Sequence, residues 1–198
     1  MSPLLVGVVA YILLTAALSI PFMLRARFEF RQQGKWSPMT AIISGLIMHG
    51  HFLATIALAW LDRGSLFAPN LISLMVGGGL VLGGAYVIFL GRYAYGSQQR
   101  VYGLLEDELI QHGIYKRTRN PQYVGYSGMF LGAAIAAGSG LAMLSALAFV
   151  AIIHVFITWV EEPHMRRTFG DAFDQYSSQV GRYVNLFQRN TKRAKSRG

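Results

Sequence analysis

The residues best suited to chemistry lie in one polar segment, residues 109–125, between strongly apolar stretches. Guanidinium groups bind carboxylate and phosphate, and aromatic faces stack on bases. Gly113 and Pro121 indicate that the segment is not one continuous helix. We therefore predict a loop that binds an anionic or nucleotide-like ligand; a basic loop that only touches lipid headgroups is the alternative. Its polar core comprises Tyr115, Lys116, Arg117, Arg119, Asn120 and Tyr123.

A second polar cluster closes the last long apolar stretch. His154, Thr158, Glu161 and Glu162 recur at three- and four-residue spacing, which predicts one polar stripe along a helix. Because the two acids have the opposite charge to the basic loop, we expect both clusters to face a common pocket. The alternative for the two acids is simple solvation at the membrane boundary.

Membrane helices must position these clusters. The chain has 198 residues, of which 53% are hydrophobic and 14% charged, a composition typical of a polytopic membrane protein. Five apolar segments occupy about residues 3–24, 39–61, 69–90, 123–138 and 141–160. A helix needs about 20 residues to cross the hydrocarbon layer, so the fourth segment is short. Gly138-Ser139-Gly140 joins it to the fifth as a tight antiparallel hairpin.

An apolar stripe continues beyond the acids and predicts one amphipathic helix, which lies on the bilayer or caps the loop. It comprises Met165, Phe169, Phe173, Tyr176, Val180 and Tyr183. We therefore predict an all-α polytopic membrane protein with about five transmembrane helices and a C-terminal amphipathic helix. Residues 1–198 form a single membrane domain, divided into three N-terminal helices (1–92), a functional part (93–188) and a basic tail (189–198).

The distribution of cations predicts the orientation. With the N-terminus outside, the inner segments 25–35, 92–119 and the chain after 160 carry 17 of the 18 Lys and Arg residues. Only Arg63 is then outside, in agreement with the positive-inside rule. We predict a bacterial or archaeal inner-membrane protein with a cytoplasmic C-terminus. The basic tail indicates contact with anionic membrane lipids rather than with nucleic acid.

Small residues and two histidines within the spans suggest packing roles. Gly79 and Gly83 form a GxxxG pair, and Gly128, Gly132, Ala136 and Gly140 repeat every four residues, which predicts close helix contacts.

His49 and His51 lie near the middle of the second span on nearly opposite faces. They cannot share a metal, and at most one is expected to line a cavity. The chain has no cysteine, and we predict no metal site.

Residues 113–125 read G-I-Y-K-R-T-R-N-P-Q-Y-V-G. They resemble the G-x-Y-x-x-x-R-H-P-x-Y-x-G signature of the isoprenylcysteine carboxyl methyltransferase and phospholipid methyltransferase superfamily. The acid pair and the residues after it resemble the family's E-E, F-G-x-x-(Y/F)-x-x-Y-x-x-x-V-x-R ending. These later residues are Glu161, Glu162, Phe169, Gly170, Phe173, Tyr176, Val180 and Arg182. The first three helices carry no motif of this family and resemble it only as apolar helices.

The resemblance implies an integral-membrane enzyme that binds S-adenosylmethionine at its cytosolic side. It would methylate a lipophilic acceptor: a prenylcysteine-like carboxylate, a thiol or a lipid amine. A thiol or amine would need a general base, for which Glu162 and His154 are the nearest candidates. Glu161 would bind the cofactor's amino-acid end or ribose, and Arg119 its carboxylate. Leu109 and Ile110 would supply backbone contacts ahead of the turn at Gly113. The remaining implied cofactor-binding residues are Tyr115, Asn120, Pro121 and Tyr123.

Two departures from the family pattern affect the acceptor and the site. Asn120 replaces the family's histidine, which keeps a hydrogen bond but removes a titratable group. Residues 156–160 lack the arginine that holds the substrate in the eukaryotic isoprenylcysteine enzymes.

Apolar helices around a polar pocket predict an acceptor that comes sideways from the bilayer, beside Gly128 and Gly132. The alternatives are a sterol-reductase-like NADPH-dependent enzyme and a non-enzymatic membrane adaptor.

Overall fold

A computed structural model describes residues 2–105 and 108–183, and the elements it contains there are all helical. The prediction of an all-α polytopic membrane protein is confirmed. A 3₁₀ turn (Gly113–Lys116) precedes α5, and a π-turn (Ile157–Glu161) joins α6 to α7. Residues 184–188 and the basic tail, 189–198, lie outside the described residues. The α-helices are α1 (Pro3–Gln33), α2 (Pro38–Leu61), α3 (Leu71–Tyr95), α4 (Gln98–Val101), α5 (Pro121–Ala137), α6 (Gly140–Phe156), α7 (Glu162–Phe169) and α8 (Asp171–Gln179).

The long helices begin at side chains that cap their free backbone N–H groups. The capping side chains of α1, α2, α3 and α6 belong to Ser2, Ser37, Asn70 and Ser139. Proline starts α1, α2 and α5, where its missing N–H would have no intrahelical partner. Local signals therefore define both the start and the length of each span.

Among the described residues, four helices are long and apolar enough to cross a membrane: α1, α2, α3 and the continuous helix Gly140–Phe169. The fifth, α5, has 17 residues and spans about 25 Å, less than the hydrocarbon thickness of about 30 Å. It is the short segment expected from the sequence. It turns back into α6 through Gly138, whose φ of 59° is left-handed, and Ser139. The predicted hairpin is confirmed.

Helices α3 and α5 pack backbone to backbone through glycines. A Cβ atom on Gly84 would overlap the carbonyl oxygen of Gly125, and one on Gly77 would overlap that of Gly132. By contrast, a Cβ atom on Gly79 or Gly83 would meet nothing within 4 Å. The GxxxG assignment was therefore wrong. The contact face of α3 carries glycines seven residues apart, which is two helical turns.

Asp62 joins the ends of α2, α5 and α6 at the end of the bundle where α1 begins. Its Oδ2 accepts hydrogen bonds from Ser139 Oγ at 2.8 Å, Leu141 N at 2.8 Å and Ser65 Oγ at 2.7 Å. The opposite end contains the ends of α1, α3 and α6 together with the polar loop. The two clusters that the sequence placed beside the membrane therefore lie at one end of the bundle.

The C-terminal amphipathic segment is two helices rather than one. Gly170 breaks it, with φ 50° and ψ −129°, a conformation that is accessible essentially only to glycine. The apolar side chains of Phe173, Tyr176 and Val180 then pack together with Leu109 of the loop. Of the two arrangements left open by the sequence, the structure shows the segment capping the loop.

Candidate active site

A change in helical phase positions the two acids. Within the π-turn the N–H of Glu162 bonds the carbonyl of Ile157, five residues earlier rather than four. Pro163 follows directly, and its missing N–H cannot bond in the preceding turn. The extra residue rotates the acids by about 100° relative to α6. The prediction of one polar stripe from His154 to Glu162 was therefore wrong.

Glu162 is buried and bound by two arginines. Arg182 donates from Nε at 2.7 Å and from Nη2 at 2.8 Å, so this pair is bidentate. Arg119 Nη2 donates to the same carboxylate at 2.9 Å. The hydrogen bond to Glu162 raises the pKa of Arg182, which therefore remains cationic. The expectation that loop and acids meet in one pocket is confirmed.

Glu161 has a different environment from its neighbour. Tyr123 at the start of α5 donates its hydroxyl to Glu161 Oε1 at 2.5 Å. The Glu161 side chain lines two adjoining grooves, whereas Glu162 lines only one of them. Of the two acids, Glu161 is therefore the one placed to contact ligands in both.

The C-terminal segment fixes the loop through backbone hydrogen bonds. Arg119 N donates to Gly181 O at 3.0 Å, and Asn120 Nδ2 donates to Arg182 O at 2.9 Å. Tyr176 donates its hydroxyl to Tyr115 O at 2.7 Å. Asn120, which stands where the family has histidine, thus holds the chain after α8 in this structure. A loop bound at three points is preorganised for a ligand.

The first groove, which we call the loop groove, lies between the loop, the acids and α8. It comprises about 780 Å³ of space, its open mouth included. Burial raises the pKa of Tyr115, so its phenol stays neutral. Seven of the predicted site residues line this groove: Leu109, Ile110, Tyr115, Arg119, Asn120, Glu161 and Glu162.

The second groove, which we call the span groove, continues from the loop groove past Glu161 and between α2, α3 and α5. It encloses about 820 Å³, again with its mouth included, and Pro121 and Tyr123 line it. His49 and Ser44 from α2 extend its wall into the membrane-spanning part. The two grooves share part of their walls, so a ligand in one would be adjacent to a ligand in the other.

His154 lies apart from these grooves. Its side chain is exposed on α6, and its Nδ1 is 2.6 Å from the hydroxyl of Tyr183. Gly113 is likewise absent from the groove walls, and its φ of 58° serves the turn before Tyr115. The π-turn explains the separation of His154 from Glu162, because it rotates the two onto different faces.

The groove residues that the sequence analysis missed include His164 and Phe30. His164, two residues after the acids, is only 2% exposed and stacks on Phe30 of α1 with ring centroids 3.8 Å apart. Both rings line the loop groove. The position of His164, two residues after the acid pair, was a usable signal. Phe30 gave no such signal, because His164, the residue on which it stacks, is distant in the sequence.

Residues 72–172 match the sequence model of the phospholipid methyltransferase family, which is just over half of the chain. The match runs from the first turn of α3 to the start of α8, and therefore contains the loop, the hairpin and both acids. No protein of curated function and no solved structure matches the chain significantly.

Proposed function

Since the chain belongs to the phospholipid methyltransferase family, we propose that it transfers a methyl group from S-adenosylmethionine to a lipophilic acceptor within the membrane. The observation that carries this proposal is the position of Glu161. It lies between one groove at the bundle end and a second groove that reaches between the spans. A transferase needs two adjoining sites, one for the donor and one for the acceptor.

The loop groove offers groups that complement each part of the donor. The carboxylate of Glu161 would accept hydrogen bonds from the ammonium group or the ribose hydroxyls. The rings of Phe173 and Tyr176 and the backbone at Leu109 and Ile110 would hold the adenine. Arg119 would bind the donor's carboxylate and share its charge with Glu162. The neutral phenol of Tyr115 is a further hydrogen-bond donor to the ligand.

The donor supplies the methyl group from its sulfonium, and the chain's part is to position both reactants and exclude water. Tyr123 holds Glu161 at the junction of the grooves, so the reacting atoms would meet there. A carboxylate acceptor needs no general base. For a thiol or amine acceptor Glu162 was the first candidate, but it would have to leave its two arginines to take a proton.

Helix α3 occupies the space beside Gly128 and Gly132, so we do not propose the acceptor route that we predicted there. Both glycines face the backbone of α3: a Cβ atom on Gly128 would lie 3.6 Å from Leu80 O, and one on Gly132 would overlap Gly77 O. The span groove between α2, α3 and α5 replaces this route in our proposal. His49 lines that groove, so an acceptor with a polar head could be accommodated there.

The test is transfer of a tritiated methyl group from S-adenosylmethionine to total membrane lipid by purified protein in nanodiscs. We expect label in the organic phase, and a decrease of about tenfold or more for Glu161→Gln, because a charge-assisted hydrogen bond is worth roughly 1.5–3 kcal/mol. Asp171→Asn, an exposed acid on α8, is the matched control. Label transfer that is equal in wild type and Glu161→Gln would refute the proposed site.

A further inference from the structure

A third cavity lies inside the membrane-spanning part, between α1, α2 and α6, and we call it the apolar cavity. It encloses about 570 Å³, its opening included. None of the roles proposed above uses it. Its walls include Ala16, Phe22, Met48, Ile152 and Phe149.

The walls are suited to a hydrocarbon chain because most of their few polar groups are already bonded, and Ser44 lies at the end that adjoins the span groove. Thr15 Oγ1 donates to Ile12 O at 2.9 Å, and Ser19 Oγ donates to Ala16 O at 2.6 Å, both within α1. His51 Nε2 lies 3.2 Å from Ser145 Oγ. A polar metabolite would find little to bond with here, whereas a hydrocarbon chain needs no such partner.

The apolar cavity adjoins the candidate active site at its inner end. Tyr123, Ser44 and Met48 line both this cavity and the span groove. Tyr123 also bonds Glu161, at the junction where the reactants would meet. A chain lying in the cavity would therefore leave its head group beside Tyr123 and Glu161.

The cavity has a definite depth. Its inner end is formed by Phe22, Ser44 and Phe156, and its outer end by Thr15, His51 and Phe149. The lining residues extend over seven residues on α2 and α6 and over eight on α1, from Thr15 to Met23, which is about 10–12 Å at 1.5 Å per residue.

Packed side chains close the outer end. Behind His51 the hydroxyls of Ser145 and Thr55 are 2.8 Å apart, and all three side chains are buried. Beyond them lies a packed cluster that contains Ile12, Leu58, Ala134 and Ala142. A chain longer than the cavity cannot continue straight through these contacts.

We propose that the apolar cavity binds the hydrocarbon chain of the methyl acceptor and limits it to about eight to ten carbon atoms. This length follows because a carbon–carbon bond of about 1.5 Å advances a zigzag chain by slightly less than its own length. The assignment of the chain to a methyl acceptor rests on the proposed function. Binding of a chain of this length is a property of the cavity alone.

The experiment is photolabelling of the protein in nanodiscs with n-alkyl alcohols that carry a terminal diazirine, one of ten and one of sixteen carbons. We expect the ten-carbon probe to label peptides around His51 and Phe149, in competition with unlabelled decanol. Ala16→Leu fills the cavity and should lower this labelling about tenfold. Ala17→Leu, the neighbouring exposed alanine, is the matched control and should leave it unchanged.

Equal labelling in the Ala16→Leu and Ala17→Leu variants would overturn the proposal, as would equal labelling of these peptides by both probes in the wild type. The second result would indicate a groove filled by ordinary membrane lipid. Affinity for S-adenosylhomocysteine is measured on the same samples. A wild type that shows the expected labelling but no S-adenosylhomocysteine binding would refute the proposed function and leave the length-limited cavity standing.

Discussion

Two adjacent acids have different environments, although the sequence presents them as a pair. Both oxygens of Glu162 accept hydrogen bonds from arginine, and its side chain is 11% exposed. Glu161, bonded by Tyr123, faces both grooves. We infer that Glu162 fixes the loop and the C-terminal segment to α7, and that Glu161 contacts ligand.

Glu162→Gln should destabilise the folded protein and leave the shape of the grooves nearly unchanged. Removing the anion leaves Arg119 and Arg182 without their partner, and breaking a buried ion pair costs about 3–5 kcal/mol. We expect a loss near the lower end of this range, because Arg182 is 32% exposed. Unfolding by SDS in mixed micelles, followed by circular dichroism, measures it. Glu161→Gln is the comparison and should change the free energy of unfolding less; equal losses would contradict the division of roles.

At the scale of elements, the site depends on how α3, α5 and the π-turn are placed. The close approach of α3 and α5 carries Pro121 against Gly91, at the point where α5 leaves the loop. The π-turn then presents Glu161 and Glu162 to that loop from the other side. Helix packing and helical phase together bring the loop and the acids into contact.

Neighbouring glycines on α3 test the packing. Gly84→Ala should destabilise the protein by about 1–3 kcal/mol, because the added methyl group overlaps the Gly125 carbonyl. Gly83→Ala should be neutral or stabilising by up to about 1 kcal/mol, since its Cβ atom meets nothing within 4 Å and alanine favours the helix. The same SDS titration compares the two variants. A greater loss for Gly83→Ala would show that the opposite face of α3 is the packed one.

The helices could be predicted from the sequence because the backbone of an apolar segment in a membrane must form its hydrogen bonds internally, as a helix does. The residues that cap the helices are also close to them in the sequence. The hairpin at Gly138 and Ser139 was predictable for the same reason. The packing face of α3 was not, because several glycines at helical spacings compete and the sequence does not show which face meets α5. The break at Gly170 was missed because the apolar stripe continues across it.

The loop and the acids of the candidate site could be predicted because both are dense polar clusters between apolar segments. The position of His154 could not, because spacing arguments assume 3.6 residues per turn and the π-turn adds one residue. The two histidines of α2 show a similar limit. At most one was expected to line a cavity, yet His49 lines the span groove and His51 the apolar cavity. Opposite faces of one helix can serve two cavities.

At the scale of the whole molecule, the two ends of the bundle differ in charge. The end with the loop contains Arg119, Arg182 and the ends of α1, α3 and α6, whereas the other contains the Asp62 cluster. The proposed function requires that a donor made in the cytoplasm reach the loop end. The cation distribution independently predicts that this end is cytoplasmic.

The orientation can be tested with reporter fusions. A reporter after Asn70 should be outside and one after Tyr183 inside, because 17 of the 18 Lys and Arg residues then lie on the cytoplasmic side. Fusing an alkaline phosphatase and a fluorescent protein at each position gives opposite readouts for the two compartments. If both fusions report the same compartment, the predicted crossing pattern is wrong.

The most direct measurement of the central claim is the affinity of the purified protein for S-adenosylmethionine, by titration calorimetry, with NADPH titrated in parallel. The account predicts that S-adenosylmethionine binds and NADPH does not, and that Glu161→Gln weakens binding about tenfold or more while Asp171→Asn does not. NADPH binding without S-adenosylmethionine binding would instead support a reductase. Unchanged S-adenosylmethionine affinity in a folded Glu161→Gln protein would contradict the site.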